Sequence, residues 1–267
     1  EGRDVIVSLG RGEAVMPLQE QVAAEKYRVG QQLKFIISKL DQERRGPEVI
    51  VSRSNVDLLR GLFEIEVPEI NTGVIEIKNI VREAGSRSKI AVNSNQEGID
   101  AVGACVGLRG LRIQNVVNEL LGEKIDVIQW SRDPAVFLGN ALSPAQPLKV
   151  EIDEIEQTAS VVVQDRQLSL AIGRDGQNAR LAAKLCGLKV DIKSSTEIEI
   201  ERMKQDIEGA VAKQEAESQV AETGESVKAD KPVVPASEVP LQPIEINDSA
   251  SGEESILLAP ELENAIA

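Results

Sequence analysis

The sequence contains no histidine. That excludes serine–histidine nucleophiles, imidazole acid–base chemistry and histidine-ligated zinc, each of which needs that side chain. Aromatics are almost as scarce, with one Trp, one Tyr and three Phe in 267 residues. Cores must therefore be built from Val, Ile, Leu and Ala, and a platform of aromatic rings for stacking bases is not expected. Only two cysteines occur, Cys105 and Cys186, far apart and without metal-type spacing. Both lie in apolar, helix-like surroundings and read as small buried side chains in a reducing, cytoplasmic compartment. No apolar run reaches the ~20 residues of a membrane-spanning helix, and nothing reads as a secretory signal. The chain starts at Glu1-Gly2-Arg3 inside a strand-like pattern, as a fragment would.

Charge of one sign is also unevenly supplied. The net charge of −14 would argue against a polyanionic partner, but its distribution removes the objection. Residues 205–267 hold 14 acidic and 3 basic residues, a net of −11, which leaves only −3 for residues 1–204. That acidic stretch contains Pro232, Pro235, Pro240 and Pro243 and is expected to be disordered, because it cannot bury enough apolar surface to offset its ordering entropy.

What is present begins with short strand patterns. Asp4–Leu9, Glu13–Pro17, Leu33–Ser38 and Glu48–Ser52 alternate or run apolar, with turns at Gly10-Arg11-Gly12 and Arg45-Gly46-Pro47. Their spacing predicts a small, partial OB-type β-barrel lacking a strand at its N-terminal side.

An internal repeat follows. Ser52-Arg53-Ser54-Asn55 opens one helix and Ser131-Arg132-Asp133-Pro134 another, each with a polar N-cap candidate and, in the second, proline at the first helical position. Each helix leads to two strands: Gly73–Lys78 and Ser88–Val92 in the first copy, Leu148–Asp153 and Ala159–Val163 in the second. Each pair is followed by a helix, a glycine loop, a second helix closed by Gly122 or Gly187, and a last strand, Lys124–Ile128 or Lys189–Ile192. The order α-β-β-α-α-β occurs twice, giving an α+β protein.

The glycine loops carry the chemistry. Gly107-Leu108-Arg109-Gly110 and Gly173-Arg174-Asp175-Gly176 are G-x-x-G turns between two helices. A loop that grips phosphates gains from residues without Cβ and from the free N–H groups and positive dipole of the next helix. Arg109, Arg112, Arg174 and Arg180 supply cations; Asp175 must point away from a bound anion. Gln114, Gln177 and Asn178 are amides suited to bases or a 2′-hydroxyl. Arg82, Arg87 and Lys89, clustered at the first repeat's hairpin, extend the basic track. Val127, Ile128, Val190 and Ile192 suit either an apolar floor for bases or ordinary core. One G-x-x-G is a weak signal, since helix–helix turns often need glycine for steric reasons; two in equivalent places of a repeated unit are a strong one. A Rossmann turn is excluded because the glycines join two helices, and a Walker loop because no Gly-Lys-Ser/Thr follows. A metal-dependent phosphoryl hydrolase would need clustered carboxylates, for which Asp153, Glu154 and Glu156 are the nearest candidates, and they read as a solvated turn.

These residues, together with Leu62–Ile70, Arg82–Val92, Val102–Gly107, Gly122–Asp126 and Asn140–Ala145, resemble the NusA family of bacterial transcription termination and antitermination factors. The resemblance spans about Asp4 to Ser195. It implies a partial S1-type barrel over 1–53, a first type II KH domain over 54–131, a second over 132–200, and an acidic tail over 201–267. It also implies a monomeric, non-enzymatic RNA-binding protein that needs no cofactor or metal. Its partners would be single-stranded nascent RNA, the RNA polymerase elongation complex and other elongation factors, with no membrane. The family's polymerase-docking domain and the first part of its barrel have no counterpart here. A general RNA chaperone or ribosome-associated KH protein is the alternative. The RNA-contacting set expected on this reading is Arg87, Lys89, Gly107, Leu108, Arg109, Gly110, Arg112, Gln114, Gly173, Arg174, Asp175, Gly176, Gln177, Asn178 and Arg180.

Overall fold

The computed structural model describes residues 4–41 and 48–204, together with residue 207. The Arg45-Gly46-Pro47 turn and the rest of the acidic C-terminal stretch lie outside the described residues. Among the described residues, no helix is long and apolar enough to cross a membrane.

Four strands make the N-terminal sheet: β1 (Val5–Ser8), β2 (Glu13–Met16), β3 (Ile36–Asp41) and β4 (Glu48–Ser52), in the order β1-β2-β4-β3. Strand alternation puts Ala14 and Met16 fully inside, where they meet Val51 and the flanks of Val5, Val7, Tyr27, Phe35 and Val49. β3 starts three residues later than the apolar run Leu33–Ser38 suggests, because Lys34 is held outside the sheet by two contacts. Its N–H donates to Glu119 Oε1, and its carbonyl accepts from Arg53 Nη1, both at 2.8 Å.

The repeat is real in three dimensions. In the first unit α1 (Val56–Glu66) is capped by Asn55, whose side chain accepts from Asp57 N at 2.8 Å. It buries Leu58, Leu59, Leu62 and Phe63 against β5 (Ile75–Glu83), β6 (Arg87–Ser94) and β7 (Lys124–Gln129). A short α2 (Pro68–Asn71), which has no counterpart in the second unit, continues from α1. The second unit has α5 (Pro134–Ala141), capped by Asp133, and strands β8 (Lys149–Asp153), β9 (Thr158–Val163) and β10 (Lys189–Ser194). Both sheets pair their first two strands antiparallel and their second and last parallel. Between the inner and last strands run α3 (Ala101–Val106) and α4 (Leu111–Glu119) in one unit, α6 (Asp165–Ile172) and α7 (Gln177–Cys186) in the other.

The units are not beads on a string. Ala91 and Ile128, from β6 and β7 of the first unit, belong to the second unit's core with Phe137, Leu138, Leu142, Val161 and Leu185. Both faces of β6 are thereby covered, and its strand reads as an almost unbroken buried run. Cys105 is buried and Cys186 half-buried; neither is bonded, and burial pushes their thiols up to about 11 and about 12.

Residues 195–204 are helical, so the segment expected to begin the tail at 201 starts inside a helix. The cause is a capping box. Glu197 N donates to Ser194 Oγ at 3.1 Å while Ser194 N donates to Glu197 Oε2 at 2.8 Å.

Candidate nucleic-acid interface

The two glycine loops superpose angle for angle. The first glycines have φ/ψ of 75/174° (Gly107) and 74/178° (Gly173). The last have 75/16° (Gly110) and 73/11° (Gly176). The residues between are likewise matched: Arg109 at 53/25° and Asp175 at 52/29°, both left-handed. Neither helix that follows has a side-chain cap; its first N–H instead closes the loop, Leu111 N donating to Leu108 O and Gln177 N to Arg174 O, and the positive end of each helix dipole faces outward with the loop.

The glycines differ in what they need. At Gly173 an added Cβ would lie 2.9 Å from the backbone N and 2.7 Å from Cβ of Asn178; at Gly107 it would lie 2.7 Å from Arg112 Cγ. Their φ/ψ region is also essentially closed to L side chains. Above Gly176 there is nothing within 4 Å, and above Gly110 only Ile113 Cγ2 at 3.9 Å. The first glycine of each loop is thus required by the protein's own packing, and the second faces open space.

The side chain five positions after the first glycine is the floor of each loop. Arg112 Nη1 donates to Ala104 O at 2.7 Å. Asn178 Nδ2 reaches Leu170 O at 3.2 Å, Ala171 O at 3.1 Å and Leu142 O at 3.0 Å. Both tie the last turn of the preceding helix to the first turn of the next. Asn178 is 1% exposed, with Oδ1 left without a partner, so it is not a reader of bases as expected; burial beneath the loop forbids it. Arg112 is half-buried and bound to Glu69, at 3.0 and 3.1 Å. The Glu69 carboxyl is held below its usual range, first by its own backbone N–H and then by Arg112.

The basic hairpin also proves structural. Lys89 is fully buried, its Nζ bonded to Asp126 Oδ2 and Ser143 O, both at 3.1 Å; burial pushes its pKa down and no phosphate can reach it. Arg87 forms a two-pronged pair with the same Asp126, at 2.7 and 3.0 Å. Arg82 is buried against Glu123. The run is the hairpin that joins β5 to β6, as expected, but its basic side chains are held by Glu123 and Asp126.

Gln177 and Arg180, in the first turn of α7, are held by the first unit. Gln177 Nε2 donates to Glu83 Oε2 and Ser86 Oγ, both at 2.7 Å, and Arg180 Nε donates to Glu83 Oε1 at 2.9 Å. What remains outward is Leu108, 80% exposed, with Arg109 in the first loop. In the second loop it is Arg174 and Asp175, facing each other at 3.5 Å with side chains 93% and 87% exposed. Gln114 lies exposed on α4, bonded to Asn118.

Beside the first loop's helices, β7 is paired on one side only. A cleft of about 670 Å³ opens there towards α5 and β8, lined by Val102, Val127, Gln129, Val136, Asn140 and Leu148. Val127 and Ile128 both line this cleft, and both also pack in cores, Val127 at the flank of the first unit's and Ile128 buried in the second's. A cleft with apolar walls beside a free strand edge offers both packing and main-chain donors and acceptors to flat, edge-polar ligands such as bases. Among the described residues, no group of three or more acidic or cysteine side chains is placed to hold a metal ion. Asp153 instead closes its turn by accepting from Ile155 N and Glu156 N. Nothing in the sequence flagged Glu69, Glu83 or the cleft, whose roles depend on contacts between distant elements.

Two family models match in sequence order: the NusA-like first KH domain over residues 53–130 and the NusA-like second KH domain over 134–200. Among curated proteins, the chain is similar to the transcription termination/antitermination proteins NusA of three bacteria. It is 52% identical to that of Halalkalibacterium halodurans over 197 residues, covering 74% of this chain and 52% of the relative. For Bacillus subtilis the figures are 51% over 197 residues, 74% and 53%; for Thermus thermophilus, 50% over 187 residues, 70% and 48%. The chain spans about half the length of these relatives. The paired repeats, their matched glycine loops and these similarities agree: the chain belongs to the NusA family.

Proposed function

We propose that this chain is a non-enzymatic, cytoplasmic RNA-binding part of a transcription factor. It takes single-stranded nascent RNA on its two glycine loops and, with the RNA polymerase elongation complex and other elongation factors as partners, modulates pausing, termination and antitermination. The observation that carries the reading is the pair of loops with matched backbone angles, each presenting an uncapped helix N-terminus above a glycine with open space over it. The shared core supports a further point: with Ala91 and Ile128 inside the second unit, the loops keep a fixed spacing and can hold one strand at two places. Arg109 and Arg174 meet the backbone, while Leu108 and the cleft beside β7 meet bases.

The test is a titration of the chain against a short unstructured single-stranded RNA, beside Gly110→Asp and Gly176→Asp. Both positions are open and left-handed, a conformation that aspartate tolerates, so the variants should fold. Each places a carboxylate where phosphate would lie. Losing one charge-assisted contact costs roughly 1.5–3 kcal/mol, or about ten- to a hundredfold in affinity. Wild-type affinity in both folded variants would reject the reading. Affinity should also fall linearly with salt on logarithmic axes, as counterion release requires.

A further inference from the structure

We propose that Glu83 is an internal anion that guards the second glycine loop, and that RNA phosphate must displace it from Arg180 and Gln177 for that loop to engage fully. The inference rests on the RNA-binding reading above and adds an order to it.

Glu83 closes β5 of the first unit, yet its carboxylate lies at the start of α7 in the second. One oxygen accepts from Arg180 Nε at 2.9 Å and the other from Gln177 Nε2 at 2.7 Å. Gln177 directly follows Gly176, and Arg180 sits one turn further, its Nη1 3.4 Å from the loop's own Asp175 O. A carboxylate with two donors on it, beside an uncapped helix N-terminus, has the chemistry of a phosphate oxygen pair at that place. The Arg180 hydrogen bond holds the Glu83 carboxyl below its usual range, as expected of an acid kept ionised by its partner.

The two loops therefore differ in readiness. In the first, the positions matching Gln177 and Arg180 are Leu111, which is exposed, and Gln114, which bonds Asn118 of its own helix. The acid that pairs at that loop, Glu69, binds Arg112, the floor residue. Arg109 makes no ion pair among the described residues, whereas both cations of the second loop already face an acid, Arg174 with Asp175 and Arg180 with Glu83. The first loop can take phosphate at once. The second must first separate Arg180 from Glu83, and doing so loosens a tie between the units.

The experiment compares wild type, Glu83→Gln, Arg180→Gln and the double variant in the full chain, titrating one single-stranded RNA long enough to reach both loops over a range of salt. Glutamine keeps the shape and an acceptor for Arg180 but removes the competing charge. Glu83→Gln should bind on the order of threefold to tenfold tighter and show a steeper salt dependence, because Arg180 becomes available as a counterion-releasing contact. With Arg180→Gln already in place, Glu83→Gln should add nothing. Unchanged or weaker binding by a folded Glu83→Gln, while Gly176→Asp still impairs binding, would show Glu83 to be a structural tie only and overturn the proposal alone. A gain that persists without Arg180 would also overturn it. If Gly110→Asp and Gly176→Asp both bind as wild type, the RNA-binding reading falls and takes this inference with it.

Discussion

Asn79 Nδ2 in the first KH unit donates to the main-chain oxygen of Leu185 in the second, at 2.8 Å. Counted from the first glycine of its loop, the residue matching Leu185 is Glu119, and the Glu119 main-chain oxygen accepts from Arg53 Nη2, also at 2.8 Å. Each module thus docks, among its other contacts, on an equivalent feature of the next, the C-terminal end of the helix that follows the glycine loop. The carbonyls there have no partner within their own helix, and an outside donor satisfies them. Replacing Asn79 by Ala should cost about 0.5–1.5 kcal/mol, the net value of such a bond, in chemical denaturation of the chain. Affinity for RNA that reaches both loops should fall more than affinity for an RNA that fills one, because the loss is in preset spacing.

Arg53 carries the corresponding seam between the N-terminal sheet and the first KH unit, and it is the more expensive one to break. Its guanidinium is fully buried, forked onto Glu25 at 2.6 and 2.7 Å, and bonded to Lys34 O and Glu119 O. Arg53→Ala would leave the buried Glu25 carboxylate uncompensated, at a cost of roughly 3–5 kcal/mol by denaturation. Arg53→Met with Glu25→Leu should recover most of that, since apolar replacement of both partners removes the stranded charge. A double variant no more stable than Arg53→Ala would mean that the bonds to Lys34 and Glu119 carry the seam instead.

Those seams mark the limit of what the sequence displays. Caps at Asn55 and Asp133-Pro134, the α-β-β-α-α-β repeat and both glycine turns are local patterns, and each is where the pattern puts it. Ser194 and Glu197 are equally local, a capping box at the usual spacing, but the composition of the acidic tail that follows masks it. Lys89 and Asn178 could not be placed by local pattern. Lys89 shares the face of β6 with Ala91, and only docking of the second unit makes that face interior. Asn178 looks like a ligand-facing amide until the loop folds over it and three carbonyls converge on its Nδ2.

The glycines of one loop should respond differently to the same change. Gly173→Ala meets both a Gly-only backbone region and the Asn178 backbone nitrogen, and should cost roughly 1–3 kcal/mol or more. Gly176→Asn enters a left-handed position with open space above it, which asparagine accepts, and should change stability by about 1 kcal/mol or less. Thermal denaturation of the two variants side by side checks this. Equal losses would mean that the loop is not held by its floor.

The Glu83–Arg180 pair predicts a pH dependence whose sign follows from linkage. The folded-state pKa of Glu83 is depressed, chiefly by the hydrogen bond from Arg180, while an unfolded glutamate titrates near ~4.3. Its contribution is therefore complete above about pH 5.5, declines as the pH falls past the unfolded pKa and through the depressed folded value, and vanishes where both states are protonated. Wild type should be modestly more stable than Glu83→Gln across neutral pH, with a gap that begins to narrow below about pH 5. The same substitution is expected to tighten RNA binding, so stability and affinity should move in opposite directions at neutral pH, as they do where a site holds its own competitor. A stability gap that stays constant down to about pH 2 would assign the effect to packing. It would then remove the charge argument from the seam between the two KH units.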